Sequence, residues 1–304
     1  VKLLVALMAP APAGAGETLP DRGIFPELAA APAAAVALPE KLDRGRLRAT
    51  YDGKRSLVVL YEGDHPLKAY STAAATARAA QPLPVAPPPS LPGILALVDG
   101  SAAAELRARA PEDLPVTPAG ASGAPRATDS DGDGIPDRLD VLLGARKLVA
   151  NRAAYTEGYH RISYPGGDVP RDIGVCSDTI VRAFRNAGLD LQRLVAEDVA
   201  RARAAYPQIK RPDANIDHRR VKTLVRWFQR HVGRVPPGAP WRPGDVVFMD
   251  TFPRRPGPDH VGIVSDRQGP SGLPLVINNW TVGTVEGEMD LLPAIPVTDR
   301  FRLP

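Results

Sequence analysis

An α+β fold is predicted for the C-terminal half of this 304-residue chain. Around Gly174 turn formers give way to residues at helical spacing, Val181, Phe184 and Ala187, with Gly188 as the stop. Three short apolar strands follow downstream: VVFMD after the turn Arg242-Pro243-Gly244-Asp245, HVGIVSD led by His260, and LPLVINN ending in Asn278 and Asn279. Upstream, RLRATY, LVVLY and PLKAY flank the turns Asp52-Gly53 and Gly63-Asp64, so residues 46–70 read as a small hairpin or meander.

In chain order, residues 1–16 combine Lys2, a short apolar run and small residues near Ala13 and Ala15, the grammar of an export signal. The expected location is periplasmic or extracellular. Residues 17–127 form an Ala- and Pro-rich region, expected to be partly disordered around the hairpin. The chain holds 34 Pro in 304 residues, about 11% and roughly twice the usual share. They concentrate in stretches such as QPLPVAPPPSLP (81–92), an extended linker, and EDLPVTPAGASGAP, a second one. A short helix is predicted over Ser101–Ala110.

One Cys excludes an intramolecular disulfide framework and a Cys-rich zinc site. Beyond the N-terminus no run of 18 apolar residues exists, which excludes a bundle of membrane helices. Charge is uneven. Residues 1–140 carry 14 Lys+Arg against 17 Asp+Glu, and residues 141–304 carry 24 against 17, which together give the net +4. Of the 24 basic residues 21 are Arg, a side chain suited to carboxylates. The basic residues form no run and the N-terminus reads as an export signal, so nucleic acid is disfavoured as a partner.

Residues 129–140, DSDGDGIPDRLD, fit a twelve-residue calcium frame. Asp129, Asp131 and Asp133 fall at positions one, three and five, Gly134 at six, the Ile135 carbonyl at seven, Asp137 at nine and Asp140 at twelve. Calcium takes six to eight oxygens around a sharply turning loop. The stretch resembles EF-hand-like and thrombospondin type-three loops, departing from the EF-hand in its Asp at twelve. A structural Ca2+ is expected there, rigidifying the junction and starting the helix VLLGARKLVANRAAY.

Cys176 falls at or one turn inside the predicted helix N-terminus, where the helix dipole favours thiolate. His260, leading its strand, is the candidate base. On alternation only one of Asn278 and Asn279 faces the histidine. Cys, His and a polar residue that fixes the imidazole tautomer make up a nucleophilic acyl-transfer site.

GVCSDTIVRAFRNAGLDL, PGDVVFM and HVGIVSD resemble the three core motifs of NlpC/p60-type papain-like cell-wall peptidases. YPGGDVP, RPDANIDHRRV and VKTLVRWFQR further resemble the DUF1287 family within that group. The resemblance spans residues 141–304. It implies a papain-like domain in which a nucleophile helix packs on a small antiparallel sheet, with Cys176 as nucleophile, His260 as base and Asn278 as the orienting residue. Members of DUF1287 usually carry His-Asn after the third strand, where this chain has Asn278-Asn279. The implied activity is cleavage of amide bonds in peptidoglycan stem peptides, by a monomer needing no cofactor for catalysis.

Tyr164 is a candidate oxyanion donor. Asp217, His218, Arg219 and Arg220 are candidate substrate-binding residues, an Arg clamping a carboxylate. The bland alternative has Asp217 capping a helix and His218 on its surface. Two other functions share the fold: a catalytically weak cell-wall scaffold, and an acyltransferase.

Overall fold

The computed structural model describes residues 23–25, 28, 42–72, 90–98, 100–252 and 257–304. The expected export signal at 1–16 and the Pro-dense stretch 81–89 lie outside the described residues. The protein is mixed α+β. Its elements in chain order are β1 (Leu47–Asp52), β2 (Leu57–Glu62), β3 (His65–Ser71), α1 (Leu91–Leu95), α2 (Gly100–Arg109), β4 (Val116–Pro118), α3 (Asp137–Asn151), β5 (Ala154–Tyr155), β6 (Ile173–Gly174), α4 (Cys176–Asn186), α5 (Leu191–Arg201), α6 (Val221–His231), β7 (Gly233–Arg234), β8 (Val246–Met249), β9 (His260–Gln268), β10 (Pro274–Asn278), β11 (Gly287–Met289) and β12 (Val297–Arg302).

The meander predicted over 46–70 is β1–β2–β3, antiparallel throughout. A fourth strand joins it where a linker was expected: β4 runs parallel to β1 at the edge, in the order β3-β2-β1-β4. One face of this sheet buries Tyr51, Val58, Leu60 and Tyr70 against Ile94, Ala102 and Leu106 of α1 and α2. Its other face, Leu57, Val59, Tyr61 and Ala69, enters the same core as Ile135, Leu139 and Leu142 around the start of α3. Every residue of β2 is buried for this reason. An alternating strand solvated on one side would not look like this.

The C-terminal sheet has six strands in the order β11-β10-β9-β8-β12-β7, all antiparallel. Helices α4 and α6 lie against it through one aromatic cluster. Phe228 of α6 contacts Phe184 of α4, Phe248 of β8 and Phe301 of β12, each at 5.4 Å between ring centroids. The chain is poor in aromatics, but four of its six Phe meet at this point. That arrangement fixes the Cys176 helix relative to the sheet carrying His260.

Helix α3 begins at Asp137, four residues before the predicted start, and ends in the left-handed residue Arg152. Its Gly144 packs on α4, where a Cβ would lie 2.8 Å from the Ala183 carbonyl oxygen. Between the two helices Asn186 accepts from Lys147 at 2.9 Å and donates to the Asp140 carbonyl at 3.0 Å, all three residues being buried.

Candidate active site

Cys176 is the first residue of α4. The turn into the helix is set by Asp178, whose carboxylate accepts the Val175 N–H at 2.7 Å. The carboxylate in turn meets Arg219 in a two-pronged ion pair, Nε to Oδ1 at 2.7 Å and Nη2 to Oδ2 at 2.9 Å. Both side chains are buried. Ser177 Oγ donates to the Arg219 carbonyl at 2.6 Å, and Thr179 Oγ1 donates to the buried Glu286 at 2.6 Å. Each of the three residues after Cys176 therefore holds the helix start through its side chain.

The opposite wall is β9. Register pairs His260 with Met249, so the imidazole stands at the end of the β8–β9 ladder. Strand β10 approaches β9 over Gly262, where a Cβ would lie 2.4 Å from Val276 Cγ1 and 2.9 Å from the Ile277 carbonyl oxygen. That close approach brings Asn278 Oδ1 to 3.1 Å from His260 Nε2. The Asn278 amide nitrogen donates to the Val276 carbonyl at 3.0 Å, which fixes its oxygen toward the ring. Nε2 must then carry the proton, leaving the Nδ1 lone pair for another partner. Trp280 packs edge to face on the imidazole, centroids 4.7 Å apart. Asn279 is turned away, donating to the Ala153 and Gly174 carbonyls at 3.2 and 3.1 Å.

Burial governs the charge state of both reactive groups. It pushes the Cys176 thiol up to about 12, although the backbone N–H groups of Val261 and Ser177 favour the thiolate. Burial also pulls His260 down to about 4, although Asn278 and the nearby Asp259 favour the imidazolium. The thiolate expected from the helix dipole is therefore outweighed by desolvation. Burial thus works against both the thiolate and the imidazolium.

The DUF1287 family, a domain of unknown function, matches residues 142–303, which include this whole arrangement. The chain belongs to the DUF1287 family. It is 43% identical over 159 residues to the uncharacterized protein YijF of Escherichia coli strain K12, an alignment covering 50% of this chain and 75% of that protein.

Within the DUF1287 domain the other sequence-predicted residues fare differently. Tyr164 is half exposed, in a loop whose next two amides, Gly166 and Gly167, bond to Asp190 and Gln192 beside α5. Tyr155 is the tyrosine beside the thiol: burial, and then the charge of Cys176, raise its phenol. The two-residue pairing of β5 with β6 carries it there, a contact with no pattern in the sequence. Arg219 is committed to Asp178 and is not open to a ligand. Asp217 does not cap α6; it accepts from the Asp213 N–H at 2.7 Å and from Arg220 at 2.9 Å. His218 is buried rather than on the surface, and burial lowers it to about 4. Arg220 remains exposed on one wall of a cavity beside Asp259.

Just before the DUF1287 span, Asp129, Asp131 and Asp133 bring carboxylate oxygens within 4.8 Å of one another. Asp129 shapes the turn, accepting the N–H groups of Gly132, Asp133 and Gly134 at 2.9–3.1 Å. The Ile135 N–H donates to Asp133 at 2.7 Å. Asp137 is committed elsewhere, both oxygens bonding to Ser130. Asp140 gives one oxygen to Asn186 at 2.6 Å, and its other oxygen is buried without a hydrogen-bond partner. Burial and the charges of Asp133 and Asp131 push the Asp140 carboxyl up to about 9. Three clustered carboxylates and a fourth with an orphaned oxygen fit a hard, oxygen-liganded cation.

Proposed function

We propose that the protein is an exported cysteine hydrolase that cleaves amide bonds in peptidoglycan stem peptides, on a domain of NlpC-like, papain-like type. The observation that carries this reading is the His260–Asn278 contact at 3.1 Å on a strand facing a helix-initial cysteine. A histidine held through Nε2 by a fixed amide oxygen, with Nδ1 left as a base, is what thiol acyl transfer needs. The antiparallel sheet with the Cys176 helix against it supports the papain-like reading. The peptidoglycan target and the export rest on the sequence resemblance and on the residues of 1–16.

In this mechanism His260 Nδ1 removes the Cys176 proton as sulfur attacks the substrate carbonyl. The helix-initial N–H groups face the developing oxyanion, with Tyr155 as the nearby hydroxyl. The tetrahedral adduct collapses as the imidazolium gives its proton to the leaving amine, and a thioester remains. Neutral His260 then deprotonates water, which attacks the thioester and releases the acid and the thiol. Because burial disfavours both the thiolate and the imidazolium, proton transfer in this mechanism accompanies attack rather than preceding it. Asp129, Asp131, Asp133 and Asp140 would hold a structural Ca2+ that secures the start of α3, with no part in the chemistry.

The test is digestion of purified sacculi by the full-length protein and by Cys176→Ala. New amino and carboxyl termini in the stem peptides are expected with the wild type alone. No new termini with either protein would overturn the reading.

A further inference from the structure

A cavity of about 670 Å³ opens beside Asp259, the residue preceding His260. Its wall is cationic: Lys210, Arg211, Arg220 and Lys222 line it, against the single carboxylate of Asp259. Its Oδ1 accepts the N–H and the hydroxyl of Thr251 at 2.8 and 2.9 Å, while its Oδ2 is buried without a hydrogen-bond partner among the described residues, so an anion must be held by the four cations across from it. Of the four cations, Arg220 is paired, with Asp217.

The same wall is the N-terminus of α6. Arg220 is its N-cap and makes no side-chain cap hydrogen bond. The positive end of the helix therefore adds to the cationic side chains rather than being neutralised by an acidic cap. Thr223, in the first turn, also lines the cavity. It is fully buried, and its hydroxyl has no hydrogen-bond partner among the described residues. A buried hydroxyl without a partner is costly unless a ligand completes it. Charge, helix end and orphaned hydroxyl converge on one space.

We propose that this cavity is the substrate subsite that receives a carboxylate of the peptide whose amide meets Cys176. The inference rests on the hydrolase reading for the identity of the peptide, and the cavity itself supplies the anion selectivity. Asp259 on the cavity wall immediately precedes His260 at the start of β9, so the cavity lies at the entry to the strand that carries the imidazole. At about 670 Å³ and open to solvent, it admits a peptide segment and not only a lone ion. A charge-assisted contact accepts the carboxylate and rejects its neutral amide.

The experiment measures binding of two soluble stem peptides to the full-length Cys176→Ala protein by calorimetry. The peptides are identical except that one side-chain carboxylate is replaced by carboxamide. The carboxylate peptide is expected to bind about tenfold more tightly. Lys210→Gln combined with Lys222→Gln is expected to erase that preference with an unchanged melting temperature, since both side chains are exposed. Thr223→Val is expected to weaken the carboxylate peptide alone, without loss of stability. Inorganic phosphate is the competing arm, and phosphate displacing the peptide at lower concentration than free acetate would reassign the site to a phosphoryl group and overturn the proposal. Equal binding of the two peptides would also overturn it. Discrimination in binding without any cleavage by the wild type would leave the subsite standing and remove the hydrolase reading instead.

Discussion

Asn278 Oδ1 meets His260 Nε2 at 3.1 Å, and the Asn278 amide is itself held by the Val276 carbonyl at 3.0 Å. In the proposed hydrolase the asparagine acts through the histidine: it selects the tautomer and would support the imidazolium once the proton arrives. Asn278→Ala should reduce kcat on the order of 10²-fold with a smaller change in KM. Asn278→Asp should retain a partner for Nε2 while adding a negative charge. That charge favours the imidazolium and raises the His260 pKa, so the acid limb of the rate profile should move toward neutral pH. A merely structural asparagine would lower stability in both variants and leave the limb in place.

Much of this pair was legible in the sequence. Alternation along LPLVINN required Asn278 and Asn279 to face opposite ways, and they do: one reaches His260, the other the Ala153 and Gly174 carbonyls. The Cys176 helix was legible too, since Gly174 and Gly188 bracket residues at helical spacing. What escaped were features made by distant segments. Arg219 looked like an open cation because its partner Asp178 is 41 residues away. Tyr155 reaches the thiol through a two-residue strand pair, and the cationic cavity draws on residues 208, 210–211, 220–223 and 258–259. The raised thiol pKa has a related origin. The helix dipole is a local property, but desolvation depends on what β9 lays over the sulfur.

Burial of the thiol predicts the alkylation profile of the single cysteine. With the thiol pushed up to about 12, iodoacetamide labelling should accelerate steadily from pH 6 to beyond pH 9. A labelling rate that levels off below about pH 8 would mean a thiolate already formed against an imidazolium.

His260 also sets acid stability. Its folded value of about 4 lies below the ordinary 6.5, so the unfolded chain binds the proton more readily between those two pH values. The neutral imidazole is fully tolerated above pH 6.5. Stability then falls as pH drops from 6.5 toward 4, by roughly 3 kcal/mol for this group, and levels off for it below 4. Buried His218, also lowered to about 4, works in the same direction. Urea unfolding at pH 7 and pH 4.5 measures the difference, and His260→Gln should reduce it. The catalytic acid limb should fall near pH 4.

The Asp178–Arg219 pair predicts a stability phenotype rather than a binding one. Arg219→Gln leaves the Asp178 carboxylate buried without its cation, a loss of about 3–5 kcal/mol. Asp178→Ala should destabilise comparably and also release the Val175 N–H at the helix start. Activity should fall in both because Cys176 is the first residue of the helical turn that Asp178 holds. Arg219→Gln with wild-type stability and a raised KM would instead restore the substrate-clamp role that its sequence position suggested.

The 129–140 loop predicts a dependence on calcium that is separable from chemistry. Without a cation, Asp129, Asp131 and Asp133 repel one another across less than 4.8 Å, and Asp140 is held protonated at about 9. A bound Ca2+ removes both penalties and should raise Tm with ion concentration, by about 2.7 kcal/mol of stability at one hundred times Kd. Helix α3 starts inside this loop and packs through Gly144 and Asn186 on the nucleophile helix. Loosening the loop should therefore lower Tm before it changes kcat. Asp131→Asn is the discriminating variant, because its side chain is exposed and takes no part in the core. It should abolish the Ca2+-dependent rise in Tm while improving the stability of the calcium-free protein. An identical Tm with excess Ca2+ and with chelator, in the wild type, would remove the ion from the account of this fold.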